Sequence, residues 1–120
     1  MQTTPKHNQR IASMTFASVY PLYIAKIERK GRSILELNQV IQWFTGYDTD
    51  AIEKLAASNV TFETFFVGAT INSNATLVKG LICGYKIETL ENTLTKNVRI
   101  LDKLVDELAK GKKIEKILRS

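Results

Sequence analysis

The chain has 120 residues, a hydrophobic fraction of 44%, a charged fraction of 24% and a formal net charge of +5. That length suits one domain with a real core, and the ordinary composition excludes a disordered, fibrous or disulfide-stapled chain. No apolar run approaches the roughly 20 residues that span a bilayer, and the opening MQTTPKHNQR lacks the apolar stretch of a signal peptide. A cytoplasmic protein is expected, and Cys83, the lone cysteine, suits a reducing compartment.

Residues 1–13 are polar, contain Pro5 and show no periodicity, so they read as a disordered basic tail before a single domain over 14–120. Ser18 is placed to cap a first helix with Pro21 in its first turn and Tyr20, Tyr23, Ile24 and Ile27 at helical spacing, stopped by Gly31. Ser33 and Glu36 form a capping box, followed by the apolar stripe Ile34, Leu37, Val40, Ile41 and Phe44. After Gly46, Asp48 or Asp50 caps a short helix that carries Ile52, Leu55 and Ala56 and ends by Asn59. Thr61 caps an aromatic turn with Phe62, Phe65 and Phe66 at i, i+3 and i+4, closed by Gly68. Leu77, Val78, Leu81 and Ile82 predict a further helix from Asn74 to Gly84, with Gly80 as a weak point. From Asn92 to Gly111, Leu94, Val98, Leu101, Val105 and Leu108 repeat at 4-3-4-3, a long helix of about five turns. Ile114, Ile117 and Leu118 mark a last short one. With no convincing strand pair, the fold class is all-α: a single-domain bundle of about five to seven short helices with one long C-terminal helix, in orthogonal packing.

The turn FTGYDTD resembles a helix-turn-helix, yet its second helix opens on Asp48, Asp50 and Glu53, carboxylates that phosphates would repel. It reads as a turn onto the protein's own core. A second such motif drawn across LVKGLICGYKIETLE has cancelling charges. Electrostatically the chain is divided: residues 26–32 carry +3 and 96–120 carry +4, against −4 over 33–95. Lys26, Arg29, Lys30 and Arg32, with Lys112, Lys113, Lys116 and Arg119, are therefore candidates for contacting nucleic-acid phosphates if the two clusters share a face. The alternative is that these cations complement helix C-termini and keep the protein soluble.

Catalytic groups are sparse. His7, the lone histidine, falls in the expected tail, so no Ser-His-Asp or Cys-His arrangement, metal site or cofactor is indicated. Cys83 reads as a small buried hydrophobe in an apolar helix end. Asp102, Asp106 and Glu107 fit ordinary helical pairing with lysines. A ligand pocket could be lined by Trp43, Tyr47, Phe65 and Phe66 beside the 68–74 loop, with Asn72 offering a polar group, although the same aromatics suit a plain core.

The stretches FASVYP (16–21), KGR (30–32), WFTGY (43–47), FETFF (62–66), ICG (82–84) and LDKLVDELAKGKKIEKILR (101–119) resemble the bacterial domain of unknown function 2200 family. The resemblance runs from about residue 14 to the end. It departs at Thr93, where the family often has proline after the cap, and at 69–74, where ATINSN stands for APxxNP. It implies a small, mostly helical domain and transfers no catalytic or binding residue. Three functional expectations follow: a non-enzymatic helical interaction domain that self-associates through an exposed face of the long helix, a nucleic-acid-binding module using the basic flanks, or a small ligand-binding protein or enzyme. None calls for a membrane.

Overall fold

The computed structural model of the chain describes residues 3–119, arranged as an all-α bundle with one small hairpin. The first helix, α1 (Pro5–Ser13), lies where the sequence suggested a tail. Thr4 caps it by accepting the His7 N–H at 3.1 Å, Pro5 opens its first turn, and Ile11 is buried. With so few apolar positions its periodicity is faint. What holds it is tertiary: Thr95 Oγ1 donates to Asn8 Oδ1 at 2.7 Å, joining α1 to the long helix, and such contacts leave no local signature.

Helix α2 (Phe16–Glu28) starts ahead of the Ser18 cap expected for it. Thr15 is the cap, and its hydroxyl accepts the Ser18 N–H at 3.2 Å. The earlier start places the fully buried Phe16 inside the helix and Pro21 within its interior on an exposed face. The capping box of α3 (Ile34–Thr45) forms as expected: Glu36 N–H donates to Ser33 Oγ at 3.2 Å, and Ser33 N–H to Glu36 Oε1 at 3.1 Å. Gly46 ends α3 with φ +79°, a left-handed conformation that glycine adopts without steric cost. Asp48, rather than Asp50, caps α4 (Thr49–Ala56). The turn folds inward, with Thr70 N–H donating to Thr45 O at 2.8 Å, and α4 packs on α2 and α3.

Helix α5 (Phe62–Val67) is capped by Thr61 and carries three buried phenylalanines. Phe65 stacks on Phe16 at 4.5 Å between centroids and meets Phe66 edge-on at 5.0 Å, while Phe66 meets Phe44 at 5.9 Å. These offset and edge contacts are the arrangements aromatic rings prefer.

Beyond α5 the expected 74–84 helix is absent. A 3-10 turn (Ser73–Leu77) leads to an antiparallel hairpin of β1 (Leu81–Ile82) and β2 (Tyr85–Lys86), with Ile82 opposite Tyr85. Cys83 (φ 52°) and Gly84 (φ 81°) form its tip, both in the positive-φ region that a two-residue hairpin turn of the primed kind demands. Gly80, with φ +109°, breaks any helical run through Leu81. Cys83 is exposed, not buried, because it sits on the hairpin tip.

The long helix α6 (Thr93–Ala109) is capped by Asn92 and crosses the centre of the molecule, touching α1, α2, α3 and α5. Of its stripe, Val98, Leu101, Val105 and Leu108, with Leu104 beside them, are buried within the monomer, and Leu94 at the start is partly buried. Most of the 4-3-4-3 pattern is thus satisfied by packing inside the monomer. A short α7 (Ile114–Ile117) folds back to seat Ile117 in the core. Among the described residues, no helix is long and apolar enough to cross a membrane.

Candidate functional site

The aromatic residues suggested as a pocket lining fill the core instead of facing a ligand space together. Phe65 and Phe66 are buried, and Tyr47 donates its hydroxyl to Phe65 O at 2.8 Å. Asn72 is engaged as a cap, its side-chain oxygen accepting the Asn74 N–H at 2.8 Å. Trp43 is half-buried against the core.

The two basic clusters do meet, at the end of the molecule where α2 and α6 terminate. Arg32 spans them, donating to Leu108 O at 3.0 Å and Lys112 O at 2.8 Å while its other nitrogens hold Glu36. Arg119 grips the buried Glu107 through two bonds of 2.9 and 2.7 Å, and Lys112 lies 3.6 Å from the same carboxylate. Those three cations therefore hold helix ends together. Lys26, Arg29 and Lys30 face Lys110 across a cleft of about 520 Å³, and Lys113 and Lys116 are exposed nearby in sequence. At the cleft's base Asp106 is bridged by Lys26 at 3.2 Å and Lys110 at 3.0 Å. Burial opposes its ionisation, but the bonds and charges of Lys110 and Lys26 outweigh that and keep the carboxyl below its ordinary range.

A second cleft, of about 370 Å³, was not anticipated from the sequence. It lies between α1, α2 and α6, and its volume falls in the range of small-molecule sites. Its polar lining comes from His7 and Arg10 of α1, Tyr23 of α2, and Arg99 and Asp102 of α6. Interleaved with these are apolar side chains, chiefly Ile11, Met14, Phe62 and Val98. Tyr23 donates its phenolic proton to Asp102 Oδ1 at 2.5 Å, and Arg99 Nη1 donates to Asp102 Oδ2 at 3.0 Å. Burial, then the adjoining Asp102 charge, pushes the Tyr23 phenol well above its ordinary value, so it stays a neutral donor. Arg99 also lies over the Tyr85 ring, 5.2 Å from its centroid, and His7 packs on the same ring at 5.6 Å. The hairpin thereby braces both groups.

Two nitrogens of this lining, His7 Nε2 and Arg99 Nε, are buried and find no hydrogen-bond partner among the described residues. Burying a polar atom unpaired costs about 1–3 kcal/mol, and Trp43 Nε1, away from the cleft, carries the same cost. Burial first, then the charges of Arg99 and Arg10, lowers the His7 pKa from its ordinary 6.5, leaving a neutral imidazole at neutral pH. Among the described residues, no cluster of three or more His, Cys, Asp or Glu is arranged to hold a metal. The sequence hid this site because its parts come from residues 7–14, 19–23, 62 and 98–102, and no spacing rule joins them.

Helices around one core, with a cleft of mixed polar and apolar lining, make this a small all-α protein. The chain belongs to the family described as uncharacterized protein conserved in bacteria (DUF2200), whose model matches residues 10–119. His7 precedes that stretch; the cleft's other residues lie within it. Among solved structures, the crystal structure of uncharacterized protein SP1917 is similar: it shares 40% identity, with 92% of this chain and 91% of that one covered and a TM-score of 0.86. No curated protein matches the chain.

Proposed function

We propose that this protein binds a small molecule in the cleft between α1, α2 and α6. The observation that carries the reading is the pair of buried, unpartnered nitrogens, His7 Nε2 and Arg99 Nε, on two residues that line one cleft together with apolar side chains. A ligand that shifts the atoms covering them and bonds them removes an existing penalty, and the apolar lining adds affinity through burial. Binding is favoured over turnover because both Asp102 oxygens are already engaged, by Tyr23 and Arg99, which makes that carboxylate a pin for the lining rather than a free acid or base. A thermal-stability screen against small molecules tests it, since a ligand of the folded state raises the unfolding temperature whatever its class. Met14, partly exposed at the cleft, serves as the control. Hits should stabilise the wild type and lose their effect on Met14→Trp, which places an indole in the cleft. Hits that stabilise both proteins equally would place binding elsewhere.

A second reading, polyanion docking at the basic end, is favoured by the Arg32 bonds that join the two clusters. It would engage phosphate backbones through Lys26, Arg29, Lys30, Lys113 and Lys116 with little base specificity. Affinity for duplex DNA should then fall steeply with salt and collapse in Lys113→Glu/Lys116→Glu. An affinity indifferent to both would end this reading.

A further inference from the structure

We infer that the occupant of the cleft between α1, α2 and α6 is an amphiphilic oxyanion: a carboxylate or phosphate group held at Arg10, Arg99 and His7, on a compact apolar body lying against Ile11, Met14 and Val98. The inference rests on the ligand-binding reading above and names the chemistry of the ligand.

The charges of the lining decide the class. Arg10 and Arg99 are cations; Asp102 is the lining's one carboxylate, and it pairs with Arg99. Arg10 has no ion pair among the described residues, so the lining carries one uncompensated positive charge. A cationic ligand would meet two guanidinium groups and a carboxylate whose oxygens are taken. A neutral ligand would leave Arg10 unanswered. An oxyanion offsets the Arg10 charge and, by shifting the atoms that cover Arg99 Nε–H, accepts from it, the charge-assisted bonding for which guanidinium groups are suited.

His7 makes the site proton-coupled. Arg10 on its own helix, Arg99 and Asp102 on α6, Tyr23 on α2 and Tyr85 on β2 surround the imidazole, and of these only Asp102 is an acid. Burial first, then the two guanidinium charges, disfavours the imidazolium; an anion placed among them offsets those charges, so the complex takes up a proton at His7 more readily than the free protein. Affinity for a carboxylate, which stays ionised, therefore rises as pH falls from neutral toward about 6, whereas affinity for a neutral analogue does not; a phosphate ester loses its own second charge at about pH 6.

The lone histidine provides the readout, because every imidazole signal in NMR spectra must come from His7. Hexanoate, phenyl phosphate and inorganic phosphate are titrated as anions and hexanamide as the uncharged counterpart of hexanoate, each at several pH values. Hexanoate, phenyl phosphate or both should shift the His7 signal saturably, with whichever of the two binds more tightly giving the source of the oxyanion. Inorganic phosphate, without an apolar body, should bind more weakly, and hexanamide about tenfold or more weakly than hexanoate, the worth of one charge-assisted contact. Arg10→Gln, at an exposed position, should weaken the anions and leave hexanamide unchanged, and His7→Gln, followed through the Tyr23 signals, should abolish the rise in affinity on acidification. Hexanamide binding as tightly as hexanoate would overturn the oxyanion class while leaving the cleft a ligand site. No response to either amphiphilic anion would overturn it too, and the stability screen would then decide the cleft alone.

Discussion

Tyr23 and Asp102 are separated by 79 positions in the chain, yet the Tyr23 phenol donates to Asp102 Oδ1 at 2.5 Å. That bond ties α2 to α6 at the cleft and, through the other carboxylate oxygen, fixes the Arg99 guanidinium. Tyr23→Phe keeps the ring and removes only the donor. Because the acceptor is charged, the loss should lower stability by about 1.5–3 kcal/mol, read by urea unfolding. An unchanged midpoint would mean that the bond does not join the helices in solution.

The buried stripe of α6 makes a larger demand. Leu101 and Leu104 are wholly enclosed, so truncating either to Ala should cost about 2–5 kcal/mol. Ser33→Ala removes one side of an exposed capping box and should cost about 1 kcal/mol. Chemical denaturation of the three variants should keep that order.

The capping box and the α6 stripe were legible in the sequence because each is a local pattern: Ser33 and Glu36 lie three positions apart, and the stripe repeats on one helical face. The hairpin was not. Leu77, Val78, Leu81 and Ile82 satisfy a helical period as well as a strand run, and Cys-Gly is a weaker turn signal than Asn-Gly. The cleft was least legible of all, since α1 draws its stability from α6 and His7 has significance only once α1 is docked.

The hairpin tip gives a chemical test of its own. Cys83 is exposed with φ 52°, a conformation that costs most residues energy and that asparagine tolerates better. A thiol reagent should therefore label the native protein at once, rather than only on unfolding. Cys83→Asn should hold or raise the unfolding temperature. Labelling that waits for denaturant would place Cys83 inside a packed element.

Stability should vary with pH in two separate windows. His7 has its pKa lowered from 6.5 in the folded protein, so the unfolded chain binds that proton more readily. The folded state is then fully favoured above pH 6.5 and loses ground as pH falls through 6.5 toward the folded value. His7→Gln should flatten this slope. Lower down, Glu36 and Asp106 have folded pKa values depressed from 4.5 and 3.8 by their basic and hydrogen-bonding neighbours. Their stabilisation is present above those ordinary values and disappears as pH falls through the depressed ones. Thermal melts of wild type and His7→Gln across the acid range should separate the two windows.

The placement of His7 underlies both the cleft and its proposed ligand chemistry, and an NMR titration of the lone imidazole in the free protein tests it most directly. A docked α1 requires an inflection below 6.5 and nuclear Overhauser contacts from the ring to Tyr85, its partner at 5.6 Å. An imidazole that titrates at 6.5, with a sharp signal and no such contacts, would show α1 detached and contradict the site.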